Sequence, residues 1–343
     1  MRKEVSTMND IIKATSTQIT AGTNAADLVN ANPFLENMLK KSDNTIKRHL
    51  KELRNFGAFL TERGKRGGNM QQPESWKDVT ADDIHDYKNY MLYTRGLATS
   101  SVNQTVFIIR SYAALSAAHG GMQQSEVFKA TQTAKGIKTR EADRIDEQRP
   151  VTRASSKKAE AVAISKYDAE RLKHDHDNTA RGRRDALLMC LLLDLGLRIS
   201  DVIGLTMNNI DMETRTISLK TKKTGTALNL SMTDDVYNAA AAYFMEYTPT
   251  TADAPVWYGV NKHGQIQGTF SKHSAQMRVT QLGAALGIDR FSAHDCRHYW
   301  VTAADRGGSS LLAITEAGGW STPTMPARYV NKGKISNAGI KLG

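Results

Sequence analysis

The chain has 343 residues, too many for one ordinary domain and well suited to two. Hydrophobic residues make up 40%, enough for real cores, but no run approaches eighteen apolar residues, so a membrane-crossing helix is excluded and a membrane partner is not expected. The net charge of +11 favours a polyanionic partner, with an ordinary basic surface as the plain alternative.

The N-terminal MRKEVSTMND has no apolar core behind its charges, so no secretory signal is expected. Cys190 and Cys296 make neither a disulfide framework nor a metal site, and a reducing, cytoplasmic setting is the default. Residues 1–40 are polar and mixed, and read as an arm or a short leading helix of unknown role. Asn30, Asn32 and Pro33 mark a boundary within them.

Ser42 or Asp43 is placed to cap a helix over Thr45 to Arg63, where Ile46, Leu50, Leu53, Phe56, Phe59 and Leu60 recur at helical spacing. Lys47, Arg48, Lys51 and Arg54 fall on its other faces and are candidate DNA contacts. A second helix begins near Thr80, with Ile84, Tyr87, Tyr90 and Met91 inward, and stops at Gly96. A third begins at Ser100 or Ser101, carries Val102, Val106, Ile109, Tyr112 and Leu115, and breaks at Gly120-Gly121. Residues 41–125 are thus expected to be a small helical domain. Residues 126–160 are dense in charge and poor in large apolar groups, and read as a basic linker or strap.

A second domain is expected over 161–343. Asp185 is placed to cap an apolar helix from Ala186 to Leu195 that Gly196 ends. Thr214 to Lys220 and Ala227 to Leu230 alternate about Thr224-Gly225, the pattern of a β-hairpin. Helices are expected over Val236 to Tyr247, Lys272 to Leu286, Ala293 to Arg306 and Leu311 to Ala317. Pro326 is a candidate first residue of a last helix, with Pro323 forcing a loop before it.

Five short pieces carry chemistry: GLRISD (Gly196 to Asp201), KKTG (Lys222 to Gly225), HDCRH (His294 to His298), GGW (Gly318 to Trp320) and RYV (Arg328 to Val330). His294, Arg297 and His298 share one helix face, with His294 in the first turn, where free N–H groups and the helix dipole favour an anion. Ser292 can cap that helix. Arg198 lies between two apolar segments and needs an anionic partner: Asp201 in a structural pair, or a phosphate toward which Asp201 orients it. Lys220, Lys222 and Lys223 cluster at the hairpin, as a solvated tip or as a source of a general acid. Trp320 is either a core residue or an indole donor to a phosphate oxygen. Tyr329 is either a packing residue or a nucleophile, whose phenol, with an ordinary pKa of about 10, must lose its proton as it attacks. Each piece alone is weak, and the order makes the set specific.

Taken together, these pieces resemble the catalytic set of the tyrosine recombinase (phage integrase) family. The resemblance covers the chain from about residue 162, and more loosely the helical domain, which is similar to the family's core-binding domain. It implies a mostly α fold with a small antiparallel sheet, built as a two-domain DNA clamp. It also implies that Arg198, Lys223, His294, Arg297 and Trp320 surround a scissile phosphate that Tyr329 attacks, with Asp201 and His298 in support and Lys220 and Lys222 near the DNA. The implied activity is site-specific recombination through a 3′-phosphotyrosyl intermediate, on double-stranded DNA, by a homotetramer passing through a Holliday junction, with no metal or cofactor. The target sequence, the choice among integration, excision and resolution, and any accessory protein stay open. Two rivals are a type IB topoisomerase, which would relax plasmids without a specific site, and a non-cleaving DNA-binding regulator, which would form no covalent adduct. Cys296 stands where the family more often has leucine. The tail after Tyr329 is short, ending near Ile340 and Leu342, and its docking on a neighbouring subunit is in doubt.

Overall fold

The computed structural model describes residues 32–65, 67–148, 161–221, 224–247, 249, 251–261 and 263–331. The arm over 1–31, Lys222, Lys223 and the tail with Ile340 and Leu342 lie outside the described residues. The chain divides into two compact units, residues 1–156 and 157–343.

The first unit is helical: α1 (Pro33–Leu39), α2 (Asp43–Glu62), α3 (Ala81–Asn89), α4 (Thr99–Ala118), α5 (Gln124–Thr133) and α6 (Thr139–Gln148). Pro33 opens α1 rather than merely bounding an arm: its missing N–H falls where a helix has no use for one, and the Asn32 side chain accepts from the Phe34 and Leu35 amides. Phe34, Leu35 and Met38 are buried, so the compact unit begins before residue 41. The helical spacing of α2 is realised as a core of Ile46, Leu53, Phe56, Phe59 and Leu60 around Trp76 and Tyr112. The Tyr112 hydroxyl finds its polar partner in His49 Nδ1 at 3.1 Å.

The expected linker needs correction, because two helices, α5 and α6, take up most of residues 126–148 and lie against the helical unit. Val127, Ala130, Ala134 and Ile137 are buried, two of them alanines that a search for large apolar residues passes over. The Asn103 amide pairs both backbone groups of Ile137, at 2.8 and 3.0 Å. Asp146 of α6 accepts from the Thr99 amide and hydroxyl at 3.0 and 2.7 Å, capping α4 from 47 residues away. That remote cap explains why α4 starts at Thr99 behind a non-capping Ala98, and not at the nearer serines.

The second unit is mixed. Its elements are α7 (Lys166–His174), α8 (Ala180–Leu193), α9 (Ile199–Val202), β1 (Ile210–Asp211), β2 (Thr216–Lys220), β3 (Ala227–Ser231), α10 (Asp234–Phe244), β4 (Tyr258–Val260), β5 (Ile266–Thr269), α11 (Lys272–Ala285), α12 (Ala293–Arg306), α13 (Leu311–Ala317) and α14 (Thr324–Asn331). Helix α8 is apolar all round from Leu187 to Leu193 and forms the centre of the core. Strands β1, β2 and β3 form an antiparallel sheet, with Leu219 opposite Leu228 on its buried face.

Here too some expectations change. Helix α8 starts at Ala180 with Thr179 as its cap, and Asp185 is a buried mid-helix carboxylate held by Arg184 and by Arg278 of α11. The β4–β5 hairpin was not anticipated; three of β5's four residues are polar or glycine, and all four are exposed. Helix α14 starts at Thr324, one residue after Pro323, so Pro326 sits inside the first turn, where its missing N–H costs no helical bond. No described helix is long and apolar enough to cross a membrane.

Candidate active site

Two turns bring the site together. Gly196 leaves α8 and delivers Arg198 to the N-cap position of α9. Gly318-Gly319 leaves α13 and brings Trp320 back over the turn. A Cβ on Gly318 would lie 1.8 Å from the Trp320 ring, and Gly319 has φ 61°, so the GGW string is required by sterics as well as by chemistry.

Arg297 points into this space from the second turn of α12. It is only 5% exposed, and it donates to the carbonyls of Gly196 and Gly318 while its guanidinium lies 3.7 Å from the Trp320 ring centre. Burial, with the Arg198 charge next, pushes its pKa down to about 9, which leaves it cationic at neutral pH. Arg198 donates Nη2 to the Gly319 carbonyl at 3.4 Å and faces the buried Asp201 at 3.7 Å. Its Nη1 is buried without a hydrogen-bond partner among the described residues. An unsatisfied guanidinium nitrogen at this depth is expensive unless an anion completes it.

Tyr329 stands on α14 beside this pair. Its ring lies 5.1 Å from His298, 5.8 Å from His294 and 6.3 Å from Trp320, centre to centre. Val330, Val301 and Ile314 anchor the helix beneath it against α12 and α13. Burial pushes the phenol's pKa above its ordinary value, and the charges of Arg297 and then Arg198 pull it down. Arg198, His294, Arg297, His298, Trp320 and Tyr329 therefore meet in one place within one subunit, with Asp201 behind Arg198. Trp320 is partly buried, and its ring is the surface over which Arg297 lies.

Other sequence-selected residues lie elsewhere or undescribed. Lys220 is exposed on the solvent side of β2, and Lys222 and Lys223 follow outside the described residues. Lys47, Lys51 and Arg54 form an exposed stripe on α2 in the other unit, and Arg48 borders a groove there with Asn44, Thr45, Asn103, Gln104 and Phe107.

One supporting residue escaped the sequence reading. Asp295, 1% exposed, accepts from Ser292 Oγ at 2.6 Å and from the Val162 amide at 2.8 Å. The Ser292 hydroxyl therefore serves Asp295 instead of capping α12 itself. The signal was present as Ser292 followed three residues later by an acid, the spacing of a capping box. A possible metal cluster, Glu170, His174 and Asp235, is already served by the Lys173 ammonium, which lies 2.5 Å from Asp235 and 3.1 Å from Glu170.

A helical unit followed by a mixed α/β unit holding this polar cluster is the make-up of a tyrosine site-specific recombinase. Residues 163–334 match the Phage integrase family, and the chain belongs to that family. It is 23% identical over 303 residues to "Tyrosine recombinase XerC" of Roseiflexus sp. (strain RS-1), covering 86% of this chain and 85% of that one. Over 149 residues it is 28% identical to the "Integrase" of Salmonella phage P22, covering 40% of this chain and 37% of that one. Among solved structures, a lambda integrase(75-356) dimer bound to a COC' core site aligns with a TM-score of 0.58 at 12% identity, covering 94% of this chain and all of that one. At that identity the likeness shows the fold alone.

Proposed function

We propose that Tyr329 attacks a DNA phosphate held by Arg198, Arg297 and His294. The arrangement that carries this reading is a phenol set among two imidazoles and two arginines, whose own hydrogen bonds go to neutral carbonyls and leave their charge available. The two guanidiniums neutralise the nonbridging oxygens, supplying the charge stabilisation a metal gives elsewhere. The Tyr329 oxygen forms a bond to phosphorus, and the phenol's proton passes to His294 or to water. The P–O5′ bond breaks, its electron pair leaves on O5′, and that oxygen takes a proton from a lysine of the β2–β3 loop, for which Lys223 is the leading candidate. The 3′-phosphotyrosyl link keeps the bond energy, so rejoining to another 5′-hydroxyl needs no ATP.

Both units bind duplex DNA, with Lys47, Arg48, Lys51 and Arg54 of α2 on the backbone and in the groove. Four subunits on two recombination sites exchange strands through a Holliday junction, in the cytoplasm where the DNA is. Incubating the full-length protein with a random-sequence pool of nicked duplexes tests this. The expected result is protein covalently attached to DNA on a denaturing gel, with one sequence enriched among the attached strands and no adduct from Tyr329→Phe. An adduct that survives in Tyr329→Phe overturns it, as does attachment without sequence preference.

A further inference from the structure

The carbonyl that Arg198 holds is also held from the other side. Gly319 O lies 3.4 Å from Arg198 Nη2 and 3.4 Å from Thr224 Oγ1. Thr224 belongs to a set of three threonines at the base of the β2–β3 loop. Its hydroxyl is 2.6 Å from that of Thr221 and 2.8 Å from that of Thr226, and Thr221 Oγ1 also accepts from the Thr226 amide at 3.1 Å. Backbone bonds close the same loop, from the Thr221 amide to Thr226 O and from the Gly225 amide to Thr221 O. Thr221 is 2% exposed, so its hydroxyl has to be satisfied inside the protein.

Counting protons gives the chain a direction. Each hydroxyl has one proton to donate and two lone pairs to accept with. If Thr224 gives its proton to Gly319 O, then Thr221 and Thr226 each donate to Thr224, and every hydroxyl's proton is used. This assignment makes all three hydroxyl contacts and gives Gly319 O a second donor beside Arg198 Nη2. The clasp therefore ends on the carbonyl that locates Arg198, while Arg198 Nη1 stays without a hydrogen-bond partner among the described residues. The Trp320 amide of the same peptide donates to Thr315 O at 3.0 Å and holds one end of it; without the Thr224 donor the carbonyl end loses a tie, and Arg198 is freer to close the 3.7 Å gap to Asp201.

We propose that Thr224 is a positioning residue for Arg198: its hydroxyl fixes the Gly319 carbonyl, which aims the guanidinium at the scissile phosphate and away from Asp201. This rests on the reading of Arg198 as a phosphate ligand. It makes the threonines beside the lysines part of the site, whereas the KKTG string drew attention to its lysines alone.

Single-turnover cleavage by the full-length protein, on the nicked duplex recovered above, tests it. Thr224→Val keeps the shape and removes the hydroxyl, and cleavage falls about tenfold with DNA affinity within about twofold, because the loss is confined to the transition state. Thr224→Ser restores the rate to within about twofold. A substrate with a methylphosphonate at the scissile position has lost one nonbridging charge and asks less of an arginine. On it, the deficits of Thr224→Val and of an Arg198→Ala control both shrink to about twofold or less. Thr221→Val serves as a second variant, with a smaller loss of the same pattern, should Thr224→Val fold poorly. The proposal is overturned if Thr224→Val cleaves the phosphodiester at the parent rate, or stays tenfold slow on the methylphosphonate. It is also overturned if its deficit disappears on a 5′-bridging phosphorothiolate, whose leaving group needs no proton, since the clasp would then act on the lysine loop. If Arg198→Ala itself cleaves at the parent rate, the reading beneath the proposal is what has failed.

Discussion

Buried Lys173 and buried Arg297, both in the second unit, are satisfied in opposite ways. Lys173, 6% exposed, is ringed by carboxylates of Glu170, Asp194 and Asp235 at 2.5 to 3.2 Å, tying α7 to the end of α8 and to α10. Arg297 is as deeply buried and donates to two backbone carbonyls, and the acid that faces the arginine pair, Asp201, stands 3.7 Å from Arg198. Carbonyls satisfy hydrogen bonds without cancelling charge. A cation ringed by acids has spent its field on the fold, whereas a cation held by neutral dipoles keeps its field for a guest. The contrast gives a physical test for structural against functional charge that needs no relative.

The largest effect that sharpens this contrast falls on Arg297. Arg297→Met removes the charge and keeps the apolar bulk against Trp320. Cleavage is expected to fall about a hundred- to a thousandfold, the range seen when transition-state charge stabilisation is lost. Thermal stability is expected to hold or rise, because a buried cation without an acid partner is costly to the folded state. A melting curve and a cleavage time course on the same sample check both. A large drop in melting temperature would show that Arg297 is a structural residue like Lys173.

Lys173→Met should give the reverse pattern. Removing the ammonium leaves Asp194 buried without its cation, a loss on the order of 3 kcal/mol, or roughly 6–12 °C in melting temperature. The cleavage rate per folded molecule should stay within about twofold of the parent. The cluster also has a pH signature. The hydrogen bond from Lys173 holds the Asp235 carboxyl below its ordinary value. Its contribution to stability is therefore full above about pH 4 and is lost as pH falls through the lower folded value. Lys173→Met should flatten that acid limb, which melting curves between pH 2 and 6 would show; an unchanged limb would place the acid sensitivity elsewhere.

How much of this was legible beforehand depends on what kind of signal each part leaves. Helices α2, α12 and α13 were readable because a one-sided apolar stripe, or an apolar run closed by glycine, writes its period into the chain. Arg198, His294, Arg297 and Tyr329 could be singled out as candidates because their types and order together fit one reaction, and the folded chain brings them into one place. Helices α5 and α6 were missed because what holds them is Ala130, Ala134, the Asn103–Ile137 pair and the Asp146 cap. Small residues and long-range caps have no local period. Thr224 and Asp295 were passed over for a related reason. They act on backbone groups 95 and 133 residues away in sequence, and only the folded chain makes those distances short.

The smallest effect concerns the other unit, where the comparison with the second unit can be broken. Phe107 is 71% exposed on α4, beside Arg48, Asn44, Asn103 and Gln104. Asn103 is held by Ile137, so the ring stands in water beside one arginine and the amides of Asn44 and Gln104, which is poor economy for a fold and good provision for base edges. The amides suit adenine, the guanidinium suits guanine, and the ring suits a thymine methyl. Phe107→Ala is expected to weaken binding to the enriched duplex by about 1 kcal/mol, or roughly fivefold, while leaving binding to random DNA within about twofold. Lys51→Ala should instead weaken both alike and lower the salt dependence by about one ion, as a phosphate contact does. A Phe107→Ala protein that binds both duplexes like the parent, but assembles differently on DNA by sedimentation, would move this ring from reading DNA to contacting a second copy of the chain. The exposed residues of the first unit would then be functional through assembly, and the division of labour would run between subunits as well as between units.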